Sequence, residues 1–411
     1  MPGPGWYLIG DEEKKEVLDV LDSRLLTRYR FDSQNLQRQP KVYQFEREFE
    51  KYLSVKHCLG TNSCSSSLLA GLMALGIGPG DEVIVPGYTF VASVASIVYA
   101  RAVPVLAEID DSLTIDPDDV IKKISDRTKA IIVVHMLGAP CNMDRILEIA
   151  KARGLFVIED VAQACGGSYH GRKLGSIGDF GAFSLNIFKT ITSGDGGVLA
   201  TNNEKLYNTA FAIHDHGFTP SGLGVADGSS ILGLNLRMHE LAGAIALAQL
   251  RRLNPIMERL RRLRDLFKEG ISDLGLSFRR SNDETGDCAT TLTLIFDTSA
   301  RAKFVAQRLG TTTLNGTGKH NYLNFIMSLE SRPFKKGCPF LCESFPYRQD
   351  SQVVMLPRTD DILSRSLAIS IGVSDTYLGT GFGIDILADE NTVMDKVKAF
   401  KELTRPLTPT V

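Results

Sequence analysis

The chain has 411 residues, 43% of them hydrophobic and 23% charged, which is typical of a globular protein with room for one large and one smaller domain. Its formal charge of −2 and its dispersed Lys and Arg residues exclude the basic field that a nucleic-acid partner requires. No stretch approaches the roughly 20 apolar residues of a membrane span, and the N-terminal residues lack a signal-peptide pattern, so we expect a cytoplasmic protein.

The cysteine pattern argues against both a disulfide framework and a metal site. Seven cysteines, an odd number, are scattered along the chain, which favours reduced thiols. The closest pair, Cys338 and Cys342, has no matching second pair and no neighbouring His at metal-ligand spacing. We therefore predict no metal.

Helical patterns open the chain. Asp11, followed by two glutamates, is predicted to cap the first helix, and a second helix is predicted near residues 42–52. From about residue 57 to 205, apolar strand patterns then alternate with helical segments. Strands are predicted at 82–85, 103–107, 130–134, 156–159, 182–185 and 197–201. This alternation favours an α/β fold whose mixed, mostly parallel sheet is flanked by helices.

The pattern changes after a long amphipathic helix predicted at 240–263. A separate strand at 290–296 and a helix at 300–309 follow, and then a stretch rich in Gly, Asn and Pro. We predict a large domain over residues 31–270 and a smaller α/β domain over 271–411, which the N-terminal segment 1–30 joins.

Lys189 is the most informative residue, because it stands directly before the glycine-bearing turn 193–197. About thirty residues earlier, Asp160 ends a strand that reads as buried and parallel, and ligands of open α/β sheets sit outside the carboxyl ends of their strands. A lysine that forms a Schiff base, with an aspartate to pair with a pyridinium nitrogen, is the arrangement that pyridoxal phosphate requires. Alone, either residue reads as a surface charge or a helix cap; together they point to this cofactor.

Two further segments fit the same cofactor. The serine-rich stretch 60–67 runs into a helical pattern, and a helix N-terminus with small residues favours a phosphate, although such a cap can also stand without a ligand. Phe90 follows a predicted strand end and could stack on a pyridine ring, although an aromatic residue there is usually part of the core.

The order of these blocks resembles the DegT/DnrJ/EryC1/StrS family, fold-type I pyridoxal phosphate enzymes that mostly aminate keto-sugars. The resemblance covers nearly the whole chain. Its matching stretches are 62–75, 78–86, 157–164, 183–189, 194–197 and 233–238.

The resemblance implies roles for residues around the cofactor ring. Lys189 would form the Schiff base, and Asp160 would keep the ring nitrogen protonated. Phe90 would stack on one face of the ring, and Gln163 would contact its oxygen side.

The resemblance also implies a phosphate site shared between subunits. Ser184 and the backbone of Cys64 and Ser65 would hold the phosphate, and Asn235 would reach the phosphate of a neighbouring subunit, which implies a homodimer with shared active sites. The family usually has Gly-Thr at Cys64-Ser65 and Glu at Asp195. Ser65 keeps the hydroxyl, whereas Cys64 is less permissive than Gly, which puts the backbone geometry of this loop in doubt.

The reaction implied is transfer of an amino group from glutamate or glutamine to a keto-sugar, with Lys189 carrying a proton between the substrate carbon and the cofactor carbon. Deoxygenation or epimerisation on the same scaffold is an alternative, but the dehydratases of the family replace this lysine by His. A non-catalytic binding protein is a further alternative, which the joint presence of Lys189, Asp160, Gln163 and Ser184 disfavours.

The acceptor is less constrained. The segments 134–138, 189–194 and 214–217 look most like those of aminases of an eight-carbon 3-deoxy-octulosonate sugar acid, while an aminocyclitol precursor or a nucleotide-linked keto-sugar stays open. Substrate contacts are expected from the small domain and the dimer edge. The candidates, each of which could equally be a polar loop residue, are Arg30, Arg237, His320, Tyr322 and Asn324.

Overall fold

The computed structural model describes residues 3–28, 39–219, 222–225, 231–324, 355–373 and 382–404. Within these ranges the α-helices, numbered α1 to α13, are Pro4–Tyr7, Asp11–Ser23, Lys41–Leu53, Cys64–Ala74, Val91–Tyr99, Pro117–Lys123, Met143–Arg153, Glu204–His214, Glu240–Arg251, Leu253–Gly270, Ser299–Arg308, Pro357–Arg365 and Glu390–Thr404. The strands, β1 to β14, are His57–Thr61, Glu82–Pro86, Val103–Ala107, Thr128–Val134, Phe156–Asp160, Ser168–Tyr169, Arg172–Lys173, Phe180–Ser184, Gly197–Thr201, Phe218–Thr219, Gly222–Val225, Thr291–Ile295, Ser366–Gly372 and Gly383–Asp385.

A seven-stranded sheet in the order β1-β9-β8-β5-β4-β2-β3 organises the large part of the chain. Strand β9 runs antiparallel to both of its neighbours, and all other pairs are parallel. The predicted fold class, a mixed and mostly parallel sheet flanked by helices, is therefore confirmed. Each predicted strand of this sheet is present, with its ends shifted by at most two residues, and β1 is added at the edge.

Apolar side chains cover both faces of the sheet. Along β4, Ile131 and Val133 belong to one buried cluster, and Ile132 and Val134 belong to the other. A parallel sheet buried on both faces is made of such nearly continuous apolar strands, and successive side chains alternate between the faces.

Strand β5 lies in the middle of the sheet and ends at Asp160, which is in register with Val134 of β4 and Ala182 of β8. The carboxyl ends of these parallel strands meet at one edge. This edge is where open α/β sheets bind ligands.

The C-terminal part contains a second, three-stranded sheet in the order β12-β13-β14, which lies within the predicted small domain. The single helix predicted at 240–263 is instead two helices that meet at Arg252. Pro255 occupies the first turn of α10, where the missing N–H of proline costs no helical hydrogen bond. Helix α2 packs on α9. The domain boundaries themselves stay predictions.

Among the helices of the described residues, none combines the length and the apolar character needed to cross a membrane.

Candidate active site

Asp160 is held at the end of β5, almost completely buried. Its Oδ2 accepts a hydrogen bond from the Ser93 hydroxyl at 2.7 Å, and its Oδ1 accepts one from the Ala162 N–H at 3.0 Å. Burial raises the pKa of the Asp160 carboxyl above its ordinary value, while these hydrogen bonds and the nearby Lys189 ammonium oppose the rise. Lys189 and Asp160, 29 residues apart in sequence, are thus electrostatically coupled in the fold.

Ser93 is a site residue that the sequence analysis missed. It lies in the first turn of α5, and its Oγ is 2.7 Å from Thr89 Oγ1, while the Thr89 N–H donates to the carbonyl of His320 at 3.1 Å. The available signal was a small hydroxyl residue three positions after Phe90, at the start of a helix that leaves the carboxyl edge. Ser93 connects this loop to the carboxylate.

Replacing Ser93 by alanine is expected to destabilise the cofactor-free protein in a pH-dependent way. The pKa of folded Asp160 is already above 3.8, so its ionised form lowers the free energy of unfolding as the pH rises above about 4, and losing Ser93 deepens that loss. Since a hydrogen bond to a charged group is worth about 1.5–3 kcal/mol, we expect a deficit of that size at pH 8 and a smaller one in acid, where Asp160 is protonated in both states.

Urea unfolding at pH 8 and at pH 3, which lies below the ordinary pKa of an aspartate, measures this difference. Ser96→Ala is the matched control, because the Ser96 hydroxyl is also buried in α5 but donates to the carbonyl of Ser93 at 2.9 Å rather than to a carboxylate. We expect the loss of unfolding free energy in Ser96→Ala to be the same at both pH values. A loss in Ser93→Ala that is equally independent of pH would contradict the role assigned to Ser93.

Lys189 lies in a turn that backbone hydrogen bonds hold against Leu185, the residue that directly follows β8. The Leu185 N–H donates to Gly196 O, and the Ser193 N–H donates back to Leu185 O, both at 2.9 Å. The Thr192 hydroxyl also donates to Leu185 O, at 3.0 Å. The lysine is therefore presented from a closed loop rather than from a strand or a helix.

A cleft surrounds Lys189, and residues from the N-terminal segment, the predicted large domain and the predicted small domain line it. The lining residues are Pro4, Ala162, Gln163, Phe188, Lys189, Thr190, Thr290, Ile371 and Val373. Gln163 is fixed in this wall because its Oε1 accepts a hydrogen bond from the Leu137 N–H at 3.0 Å. The predicted site residues Lys189 and Gln163 are thus brought into one cleft, directly beyond Asp160.

The N-terminus of α4 reaches the same edge of the sheet. Ser63 caps this helix, since its Oγ accepts from the Ser66 N–H at 3.2 Å. Strand β9 approaches the cap so closely that a Cβ on Gly197 would lie 2.3 Å from the carbonyl carbon of Ser63. Gly197 also pairs with Ser184 of β8, which places this buried serine beside the start of α4.

The two departures from the usual family pattern are accommodated. Cys64 is the first residue of α4 and is not one of the described non-glycine residues with a positive φ, so this loop position does not require glycine. The Cys64 thiol is buried, which raises its pKa well above its ordinary value. Ser65 follows it in the first turn. Asp195 accepts a hydrogen bond from the Asn186 side chain at 2.6 Å, which ties together the two arms of the lysine turn.

Phe90 directly precedes α5 and is 44% exposed, so it is not a core residue. The centre of its ring lies 5.2 Å from that of His320. His320 Nδ1 hydrogen-bonds to Thr317 O at 3.2 Å, and burial lowers the pKa of His320 to about 4. A neutral imidazole and an accessible phenyl ring therefore stand together beside the site.

The remaining predicted residues are not among those that line the cleft. Asn235 is exposed and forms a bridge to Asp215, and Arg237 pairs with Asp215 and lies beside Thr61 at the end of β1.

Tyr322 is buried, and its hydroxyl donates to Asp360 Oδ2 at 2.8 Å and accepts from the Leu356 N–H at 3.0 Å. The Asn324 amide donates to Gly318 O at 2.5 Å. Arg30 lies outside the described residues. Substrate contacts of these residues stay predictions.

A buried, hydrogen-bonded pair of His135 and Glu159 supports the strand end from the opposite face. His135 Nε2 lies 3.1 Å from Glu159 Oε2, and the Cys141 N–H donates to His135 Nδ1, so Nε2 carries the proton. The backbone N–H groups of Gly175, Ile177 and Gly178 donate to the same carboxylate at 2.7–2.8 Å. Burial alone would raise the pKa of Glu159, but these hydrogen bonds lower it.

Across the described ranges, no three His, Cys, Asp or Glu side chains are grouped so as to hold a metal ion. The absence of a metal stays a prediction.

Comparisons with known proteins agree on one family. The model of the DegT/DnrJ/EryC1/StrS aminotransferase family matches residues 9–332. The spore coat polysaccharide biosynthesis protein SpsC of Bacillus subtilis is 39% identical over 260 residues, which span 61% of this chain and 64% of SpsC, slightly under two thirds of that relative. The GDP-perosamine synthase of Vibrio cholerae is 32% identical over 323 residues, 78% of this chain and 81% of the synthase.

Solved structures extend the likeness to nearly the whole chain. The X-ray structure of the aminotransferase from Psychrobacter cryohalolentis aligns with a TM-score of 0.76 at 26% identity, and the alignment covers 97% of each chain.

Proposed function

Because this chain belongs to the DegT/DnrJ/EryC1/StrS aminotransferase family, we propose that it is a pyridoxal phosphate-dependent aminotransferase that moves an amino group from glutamate or glutamine to a keto-sugar. The family resemblance drawn from the sequence is confirmed by the match over residues 9–332. The observation that carries the proposal is the convergence of Lys189 and Asp160 at the carboxyl edge of the central sheet, where Lys189 opposes the rise in the pKa of Asp160.

The residues at this edge fit pyridoxal phosphate. A buried carboxylate with hydrogen-bond donors on both oxygens suits a ring cation, and an amine stands in the cleft beside it. The capped N-terminus of α4, which a side chain on Gly197 would obstruct, offers backbone N–H groups for a phosphate. We assign the ring nitrogen to Asp160, the aldehyde to Lys189, one ring face to Phe90, and the ring oxygen to Gln163.

The phosphate is assigned to Ser184 and to the backbone of Cys64 and Ser65. Ser184 is the buried hydroxyl beside the start of α4, and Cys64 and Ser65 occupy its first turn, where backbone N–H groups have no helical acceptor.

When bound, pyridoxal phosphate supplies an electron sink that lets the hydrogen next to the substrate nitrogen leave as a proton. The residues of the chain manage that proton and the charge. Lys189 Nζ takes the proton from the α-carbon of the amino donor, and in the second half-reaction it returns a proton to the acceptor carbon. Ser93 and Ala162 donate hydrogen bonds that favour the ionised form of Asp160, and this carboxylate would hold the positive charge at the ring nitrogen.

The acceptor is assigned to the class of keto-sugars: a nucleotide-linked keto-sugar, an aminocyclitol precursor or a keto-octulosonate. Support comes from the relative named GDP-perosamine synthase and from the cleft, which residues of both the predicted large domain and the predicted small domain line. The candidates for contacting it are Arg30, Arg237, His320, Tyr322 and Asn324, of which His320 lies against Phe90.

The working unit is proposed to be a homodimer with shared sites. Asn235 is exposed, as a residue that reaches a neighbouring subunit must be, and Phe188 beside the lysine is 47% exposed. We also retain the division into a large domain at 31–270 and a small domain at 271–411, because the cleft draws Thr290 and Ile371 from the second part.

The direct test is to load the protein with pyridoxal phosphate, reduce it with borohydride and locate the modified residue by mass spectrometry. The expected result is one cofactor on Lys189. Modification at other lysines, with Lys189 unmodified, would refute the assignment.

A second experiment separates aminotransfer from other reactions of this cofactor. The pyridoxamine phosphate form is mixed with keto-sugars that carry a nucleotide, a carboxylate or neither, and the return of the aldehyde absorption is followed. At least one class is expected to restore it; failure of all three would favour deoxygenation or epimerisation.

A further inference from the structure

The N-terminal strap, defined as residues 3–7, lies along the turn that carries Lys189. The Gly3 N–H donates to Ile187 O at 2.8 Å, and the Gly5 N–H donates to Lys189 O at 3.4 Å. Two backbone hydrogen bonds from a distant part of the chain thus hold the lysine itself and the residue two positions before it.

Both glycines of the strap permit an unusually close approach to the turn. A Cβ on Gly3 would lie 2.4 Å from the carbonyl carbon of Phe188 and 2.5 Å from Lys189 O. A Cβ on Gly5 would lie 2.8 Å from the Cα of Ile191 and 2.7 Å from Gln249 Oε1. Any side chain at either position must therefore displace the strap or the turn.

Gln249 of α9 joins the strap to the turn from below and is completely buried. Its Oε1 accepts from the Thr192 N–H at 3.3 Å, and its Nε2 donates to Gly5 O at 3.2 Å and to Glu13 Oε1 at 3.0 Å. Glu13 is in turn paired with Arg252 at 3.0 Å. One buried amide thus couples the strap, helix α2 and the lysine turn.

Pro4 is the strap residue that lines the cleft with Lys189. It also touches the C-terminal sheet, since a Cβ on Gly372, at the end of β13, would lie 2.8 Å from Pro4 Cγ. The strap therefore closes the cleft between the lysine turn and the small sheet.

We infer that the N-terminal strap is a positioning element of the active site, which fixes the turn that presents Lys189 and walls its cleft with Pro4. The chemical consequence rests on the proposed function, because positioning matters only if Lys189 holds the cofactor. The physical coupling of strap and turn can be tested without any cofactor.

Hydrogen–deuterium exchange of the cofactor-free full chain tests the coupling. Gly3→Ala and Gly5→Ala are each expected to speed exchange in the peptide 186–195 about tenfold, which corresponds to losing about 1.4 kcal/mol of local stability. Gly10→Ala is the matched control, because its Cβ would meet only Leu8 O at 3.9 Å, an ordinary contact, and it should change exchange less than about twofold. Unchanged exchange in both strap variants would overturn the inference.

Visible circular dichroism of the protein loaded with pyridoxal phosphate tests the consequence. A loss of stability elsewhere leaves the signal per bound cofactor unchanged, whereas a displaced Lys189 turn should lower it by about half or more in the strap variants and not in Gly10→Ala. If the wild-type chain does not take up the cofactor at Lys189, the proposed function fails, and the exchange experiment still decides the coupling. Should both alanine variants fail to fold, Pro4→Ala, which removes the ring atoms from the cleft wall and adds only a backbone N–H at the start of α1, takes their place in both measurements.

Discussion

Replacing Lys189 by arginine is expected to lower kcat for transamination about 10⁴-fold, the upper end of what a positioned acid–base group contributes. Arginine keeps a positive charge in the turn, but its guanidinium stays protonated and can neither attack an aldehyde nor accept a proton from carbon. The backbone bonds that close the turn do not involve the lysine side chain, so the fold should persist. The effect is measured with L-glutamate as amino donor, from the rate at which the bound cofactor is converted from its pyridoxal to its pyridoxamine form, followed by visible absorption.

Two controls make the lysine experiment decisive. Lys151→Arg changes an exposed lysine of α7 and should leave the rate unchanged. Far-ultraviolet circular dichroism of Lys189→Arg should match that of the wild type. An arginine variant that keeps more than about a tenth of the wild-type rate would remove Lys189 from the chemistry.

Replacing Asp160 by asparagine is expected to lower kcat about 10²- to 10³-fold while leaving the cofactor-free protein at least as stable. A carboxylate and a ring cation at a partly screened site attract one another by about 4 kcal/mol, and a neutral amide recovers only part of this as a hydrogen bond. The expected effect on the free energy of unfolding is in the opposite direction. Burial raises the pKa of Asp160, so its ionised form costs folding free energy at neutral pH, and an uncharged side chain of the same shape removes that cost.

The two readouts together separate a chemical role from a structural one. We expect urea unfolding at pH 8 to give Asp160→Asn a free energy of unfolding equal to or above that of the wild type, while single-turnover kinetics with L-glutamate show the loss. Asp126→Asn, at an exposed loop carboxylate, should change neither. A variant that loses activity only in proportion to its stability would argue for a structural Asp160.

The sheet could be predicted from the sequence because its strands are nearly continuous apolar runs between helical patterns. Strand β1 escaped prediction because its sequence, His57–Thr61, contains a histidine, a glycine and a threonine, and its burial comes from antiparallel pairing with β9, about 140 residues away. The break at Arg252 was missed because the apolar stripe continues across it, while Pro255 signals only where the second helix begins.

The candidate site likewise contains residues that the sequence indicates and residues that only the fold reveals. Lys189, Asp160 and the start of α4 carry sequence signals of their own, because a strand end, a glycine turn and a serine-rich cap are local patterns. Ser93 carries only the weak signal of a hydroxyl residue near a helix start, and the strap carries none. Gly3 matters only because Phe188 and Lys189 happen to lie against it, and that approach depends on the whole fold.

Strand β5 ends in two carboxylates that have opposite tasks. Glu159 receives hydrogen bonds from His135 and three loop amides on one face, and Asp160 turns to the other face, towards Ser93. Because side chains alternate along a strand, a slip of one residue in the pairing with β4 would turn Glu159 towards the cleft and put the apolar Ile158 in its place, which would leave the loop amides without an acceptor. Glu159 therefore fixes the register of β5. Although it lies on the far side of the sheet from the cleft, its hydrogen bonds determine that Asp160 is the acid that faces the cleft.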